Sequence, residues 1–171
     1  MHIVIPMSGE GRRFLDAGYL TPKPLIVVDD KSIIEHIVGL FPGESRFTFI
    51  CNRDHLAQTG IHALLKRVAP ECEIVSIAPH KKGPVFAVAQ AFDRIDEDEE
   101  VIVNYCDFSK HWNYGDFLKH TRSRDADGSG CDREYGRGSR ALRNADARWN
   151  NRRRAQRGEH DQRSAGRGGT I

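Results

Sequence analysis

The chain has 171 residues, 39% hydrophobic and 29% charged, with a net charge of +2. That near-neutral total hides two polymers: residues 1–128 hold 15 basic and 19 acidic residues, net −4, whereas residues 129–171 hold 11 Arg, no Lys and 5 acidic residues, net +6. No apolar run reaches the roughly 20 residues of a membrane-spanning helix, which excludes a helical membrane protein. Residues 2–6 read as a buried strand that stops at the turn Ser8-Gly9-Glu10-Gly11-Arg12-Arg13-Phe14, and a second cluster, Thr21-Pro22-Lys23-Pro24-Leu25, follows. Residues 25–28 read as short and extended, with Asp29 and Asp30 forming the turn before Lys31. Ser32-Ile33-Ile34-Glu35 is a capping box that opens a helix to about Phe41, with Ile33, Ile34, Ile37 and Leu40 on one face. Residues 46–52 are β-branched and aromatic, a second core strand. Asp54 is expected to cap one helix running to about Val68, through Leu56, Ile61, Leu64 and Leu65. Residues 73–78 form a third strand. Pro84 fits the first turn of a helix to about Phe92. After the acidic turn 96–100, residues 101–105 form a fourth strand and 114–122 a further helix.

Strands separated by helices imply βαβ crossovers and a mainly parallel sheet. The fold class read from this pattern is α/β, a Rossmann-like three-layer α/β/α arrangement. Ligands bind such sheets outside the carboxyl ends of the strands. Three polar segments fall there: residues 7–14, 79–83 and 106–111. Their convergence is the physical argument for one site.

Residues 129–171 break the pattern. Leu142 and Ile171 are the only Leu, Ile, Val, Met or Phe residues among them. Such a segment buries too little apolar surface to offset the entropy of ordering it, so low order is expected. Two readings are open: an Arg-rich arm that binds RNA through phosphates, and a frameshift product starting near Ser129. The favoured reading is the frameshift. The domain division is therefore 1–128, a nucleotide-binding part, and 129–171, an Arg/Gly-rich tail. The N-terminus opens on a strand-like segment rather than a charged leader, and a cytoplasmic protein is expected. Cys51, Cys72, Cys106 and Cys131 show no C-x-x-C and no zinc spacing, and the first three read as buried free thiols.

An apolar strand ending in a Gly-rich, doubly basic turn is suited to holding phosphates. Glycines let backbone N–H groups approach an anion, and Arg supplies a planar fork for phosphoryl oxygens. Lys23, between two prolines, adds a positioned charge. Phe14 stands where a dinucleotide fingerprint needs a small residue, no G-K-[ST] follows, and no H-x-G-H is present. His80-Lys81-Lys82 is open to phosphate binding but is read first as a solvated basic loop, His111 and Trp112 are open to facing substrate but are read first as loop residues, and His2, His36, His55 and His62 read as structural.

Residues 8–14 and 21–26 together resemble the signature of the sugar-nucleotide pyrophosphorylases, nucleotidyltransferases that make nucleoside-diphosphate sugars. That signature is a strand, a G-x-G-x-R loop and, several residues on, P-K-P/A-L. The likeness continues through Gly83-Pro84-Val85-Phe86-Ala87-Val88 and reaches Asp107 after the fourth strand, so it covers residues 1–128. It implies attack of a sugar 1-phosphate on the α-phosphorus of a nucleoside triphosphate, with release of pyrophosphate, in polysaccharide or capsule precursor synthesis. It further implies that residues 9–12 cradle the triphosphate, with Ser8, Gly9, Gly11 and Arg12 in contact and Gly83 beside the base. Arg13 would neutralise the leaving pyrophosphate, Lys23 would stabilise the α-phosphate, and Asp107 would hold Mg²⁺. The nucleoside triphosphate and the sugar 1-phosphate are the expected partners, with no membrane and no nucleic acid; a homo-oligomer is compatible. The family's second metal-binding Asp and its sugar-binding segments have no counterpart in 129–171, so the chain as written is expected to bind nucleotide poorly and turn over little. Alternatives are a choline-phosphate-type nucleotidyltransferase, a non-catalytic nucleotide-binding remnant and an RNA-associated protein.

Overall fold

Strand β1 (His2–Met7) carries six consecutive buried residues, the pattern of a strand covered on both faces. In the computed structural model, which describes residues 1–123 apart from Glu97, β1 lies inside a four-stranded sheet. The other strands are β4 (Phe47–Asn52), β5 (Glu73–Ile77) and β6 (Val101–Val103), in the order β5-β4-β1-β6. Every pairing in this sheet is parallel. The register sets Ile3 beside Phe47 and Ile5 beside Phe49 on one face, with Val4 and Ile50 on the other. Val4 and Ile50 pack with Ala87 and Ala91, of and just after α5 (Pro84–Ala89). On the opposite face Phe47 stacks on Phe49, and Phe41 meets Phe47 edge-on at 6.4 Å between centroids. Each such side chain removed from water contributes about 1.5–3 kcal/mol. Both faces of β1 and β4 are therefore dry, and the α/β reading with a mainly parallel sheet stands.

The chain moves outward from β1 to β4 to β5, then returns to the other side of β1 as β6. That reversal opens a crevice at the carboxyl ends of β1 and β6, where ligands of such sheets bind. The connection from β1 to β4 holds α1 (Arg12–Asp16), a 3₁₀ turn at Lys23–Leu25, the hairpin β2 (Val27–Val28) and β3 (Lys31–Ser32), and α2 (Ile33–Val38). Asp29 and Asp30 both have positive φ, 47° and 62°, as a two-residue type I′ hairpin turn requires. Ser32 and Glu35 form the expected capping box, with the Glu35 carboxylate accepting from the Ser32 backbone N–H at 2.7 Å. The Ser32 hydrogen bonds, aided by Arg67, hold the Glu35 carboxyl below its ordinary value.

Several boundaries differ from the sequence reading, each for a local reason. The helix beginning at Ser32 stops at Val38, because Gly39 closes it and Phe41 turns into the core. The single helix expected from Asp54 to Val68 is two: α3 (Arg53–Gln58) and α4 (Ile61–Val68). Thr59 turns extended there, and both its backbone N–H and its hydroxyl donate to the His55 carbonyl, ending the first helix. The cap is Asn52, not Asp54: the Asn52 side-chain oxygen accepts the Asp54 N–H at 2.8 Å. The helix starting at Pro84 ends at Ala89, followed by a 3₁₀ turn at Phe92–Arg94. Met1–Tyr114 make up one compact unit. Helix α6 (Tyr114–Ser123) runs essentially as expected from the sequence. The expected division at 128/129, the tail's low order and its RNA-binding and frameshift readings fall outside the described residues.

Candidate functional site

A cavity of about 720 Å³ lies at the carboxyl ends of the strands. The turn after β1 supplies Ser8, Gly9, Glu10, Gly11 and Arg12 to its wall, the segment around the 3₁₀ turn supplies Lys23, the loop after β5 supplies His80 and Gly83, and the loop after β6 supplies Tyr105, Cys106 and Asp107. Thus all three polar segments meet in one place, as the parallel topology requires. They do so only in part: Lys81, Lys82 and residues 108–111 are not in the wall.

Gly11 has φ +65°, a backbone state that costs a non-glycine residue and turns the chain into α1. The Phe14 and Leu15 amides close back on the Gly11 carbonyl at 2.8 and 3.2 Å. Arg12 is exposed at the cavity rim. Arg13 lies in the first turn of α1, and its side chain is outside the described atoms.

Lys23 and Asp107, separated by 84 residues in sequence, form an ion pair in which the ammonium donates to Asp107 Oδ2. Both are partly exposed, 29% and 35%, so solvent screens the pair and it adds little to stability. The Lys23 ammonium also sits 4.8 Å from the centre of the Phe14 ring, which braces it from the α1 side. A cation and a carboxylate that neutralise each other at the mouth of a crevice are available to an anion and a cation arriving together.

Cys106 stands beside this pair. Burial pushes its thiol up to about 12, the Asp107 carboxylate adds to the rise, and Lys23 opposes it. A thiol so protonated is a neutral part of the wall and not a nucleophile. Cys51 and Cys72 are buried free thiols as expected, while Cys106 is only partly buried and faces the cavity; Cys131 lies outside the described residues.

Three features of the wall were not legible as such. Ser8 is 3% exposed, and its Oγ lies 3.0 Å from Nε2 of His80, a residue read from sequence as part of a solvated loop. His55 was read as structural, yet it lines the cavity from α3 with Gln58, and burial holds its imidazole below the ordinary value. Asn52, the buried cap of α3, lines it as well. A motif at the end of a strand could have signalled them: α3 begins directly at the carboxyl end of β4, a ligand-facing position in a parallel sheet. Trp112 is turned away from the cavity: its Nε1 donates to the Leu40 carbonyl at 3.1 Å and its ring packs on Phe41.

Among the described residues no group of three His, Cys, Asp or Glu side chains gathers to hold a metal. No helix among them is long and apolar enough to cross a membrane.

No family model and no curated protein matches the chain. Among solved structures, it is similar to the nucleoside-diphosphate-sugar pyrophosphorylase from Vibrio cholerae RC9, with a TM-score of 0.55 and 22% sequence identity. The match covers 69% of this chain and 52% of that one, so the chain spans about half the length of that protein. The likeness is one of fold: the α/β unit shares its framework with that structure.

Proposed function

We propose that the cleft binds a nucleoside triphosphate and transfers its nucleotidyl group to a sugar 1-phosphate, releasing pyrophosphate. The observation that carries this reading is the meeting of the Gly9–Gly11 turn, Lys23 and Asp107 in one cavity, with Lys23 and Asp107 directly paired. The fold shared with a sugar-nucleotide pyrophosphorylase supports the same chemistry.

In the reaction a phosphate oxygen of the sugar 1-phosphate forms a bond to the α-phosphorus. The bond from that phosphorus to the bridging oxygen of the β-phosphate breaks, and the electron pair leaves with pyrophosphate. Catalysis of such a transfer is mostly positioning and charge neutralisation. The amides of residues 9–12 cradle the triphosphate, Arg12 and Arg13 balance the leaving group, and Lys23 turns from Asp107 to the α-phosphoryl oxygens. Ser8 and Gly83 border the nucleoside.

A resident metal does not fit these residues, because a single carboxylate is no cage. An ion that arrives with the triphosphate does fit: Mg²⁺ keeps several waters and takes one or two carboxylates besides substrate phosphates. When bound, it would neutralise the triphosphate and polarise the α-phosphoryl oxygens. Asp107, freed from Lys23, is the protein oxygen that would meet it.

The test is release of pyrophosphate from a panel of nucleoside triphosphates and sugar 1-phosphates. Slow release that needs both substrates and Mg²⁺, and that Lys23→Ala abolishes, is the expected result. Release that persists in Lys23→Ala, or that a chelator leaves unchanged, would contradict it.

A further inference from the structure

Ser8 and His80 lie 72 residues apart and are joined by a hydrogen bond whose direction the surrounding atoms decide. The Lys82 backbone N–H donates to His80 Nδ1 at 3.2 Å, so that nitrogen offers its lone pair. A neutral imidazole with Nδ1 accepting carries its proton on Nε2. Nε2–H therefore donates to Ser8 Oγ, 3.0 Å away, and the hydroxyl oxygen accepts. The proton of Ser8 itself is left to donate elsewhere. Ser8 has no other side-chain partner among the described residues, and it lines the cavity next to Gly9. The His80 ring is braced by the edge of Phe86 on α5, 4.8 Å between centroids, and Lys82 covers that same Phe86 ring at 4.5 Å.

We propose that His80 is a positioning residue for the bound nucleotide: it fixes the Ser8 hydroxyl so that its proton is donated to an acceptor oxygen of the nucleotide. The proposal rests on the nucleotide-binding reading above. The same contact ties the β1 turn to the loop before α5.

Calorimetric titration with Mg–ATP, Mg–GTP, Mg–CTP and Mg–UTP tests this in the 171-residue chain. One lost neutral hydrogen bond corresponds to about a three- to ten-fold loss of affinity. Ser8→Ala and His80→Asn should each show that loss. Asn keeps an acceptor for the Lys82 N–H but cannot reach Ser8. His80→Gln, whose amide N–H stands near the Nε2 position, should keep the affinity. Adding His80→Asn to Ser8→Ala should cost nothing further. Nitrogen NMR of the unliganded chain should show the Nε2–H tautomer, a readout that a merely structural His80 would not tie to affinity. If the wild type binds nucleotide while Ser8→Ala and His80→Asn bind as well as it does, this proposal alone falls. If the wild type binds none of the four, the nucleotide reading falls with it.

Discussion

At the far end of β1 from the cleft, His2 is 1% exposed and fully satisfied. Its Nδ1–H donates to Glu99 at 3.2 Å and its Nε2 accepts from the Thr48 hydroxyl at 2.8 Å. Arg46 holds Glu99 from the outside at 3.0 Å. Burial pushes the His2 imidazole below its ordinary value against the pull of Glu99, with Arg46 adding to the lowering. The unfolded chain thus takes up this proton before the folded chain does. The stability tied to neutral His2 is complete above about pH 6.5 and is lost as pH falls towards the folded value. Denaturant midpoints should therefore drop from about pH 7 to about pH 5, and His2→Gln should flatten that drop while lowering the midpoint at pH 7. An unchanged acid slope in His2→Gln would show that other groups set it. Ser8, Gly11 and Asp107 stand out in the sequence because each follows closely on a strand, and Lys23 because it stands between two prolines. The contact of His80 with Ser8 and the place of His55 do not, because only the order of β4 and β5 in the sheet brings these side chains to the same wall.

Element boundaries follow local chemistry more closely than hydrophobic period does. The capping box at Ser32 and the Asp29-Asp30 turn are written in adjacent residues, and both are found where the sequence puts them. The break at Thr59 and Gly60 was hidden because Ile61, Leu64 and Leu65 keep a helical spacing and Leu56 lies eight residues, about two turns, before Leu64. There Thr59 turns extended, and its hydroxyl bonds the His55 carbonyl behind it and accepts the Ile61 N–H ahead of it, at the start of the next helix. Gly83, just before α5, shows the same primacy of the backbone. Its φ of 84° and ψ of 175° lie in a region only glycine enters easily. A Cβ there would meet nothing within 4 Å, so the cost of Gly83→Ala is conformational alone. Gly83→Ala should destabilise the fold by about 1–3 kcal/mol in chemical denaturation. Gly9→Ala, in open space and without a positive φ, should stay within about 0.5 kcal/mol of the wild type. Equal effects of the two substitutions would refute the backbone argument.

For the whole molecule, the decisive feature is the strand order β5-β4-β1-β6. Alternating strands and helices made a parallel sheet legible, yet they did not give this order, since several orders satisfy the same period. The order sets the crevice between β1 and β6 and so pairs Lys23 with Asp107. It leaves the loops after β4 and β5 to border the other half of the cavity. With one carboxylate for the metal, affinity for Mg–nucleotide is expected to be weak but specific. Calorimetric titration of Mg–nucleoside triphosphates into the wild type, Lys23→Ala and Arg13→Ala tests the central claim most directly. The account predicts saturable binding at one site, weakened about ten-fold or more in Lys23→Ala, the magnitude of a charge-assisted contact, and reduced in Arg13→Ala. Affinity in Lys23→Ala equal to that of the wild type would contradict it.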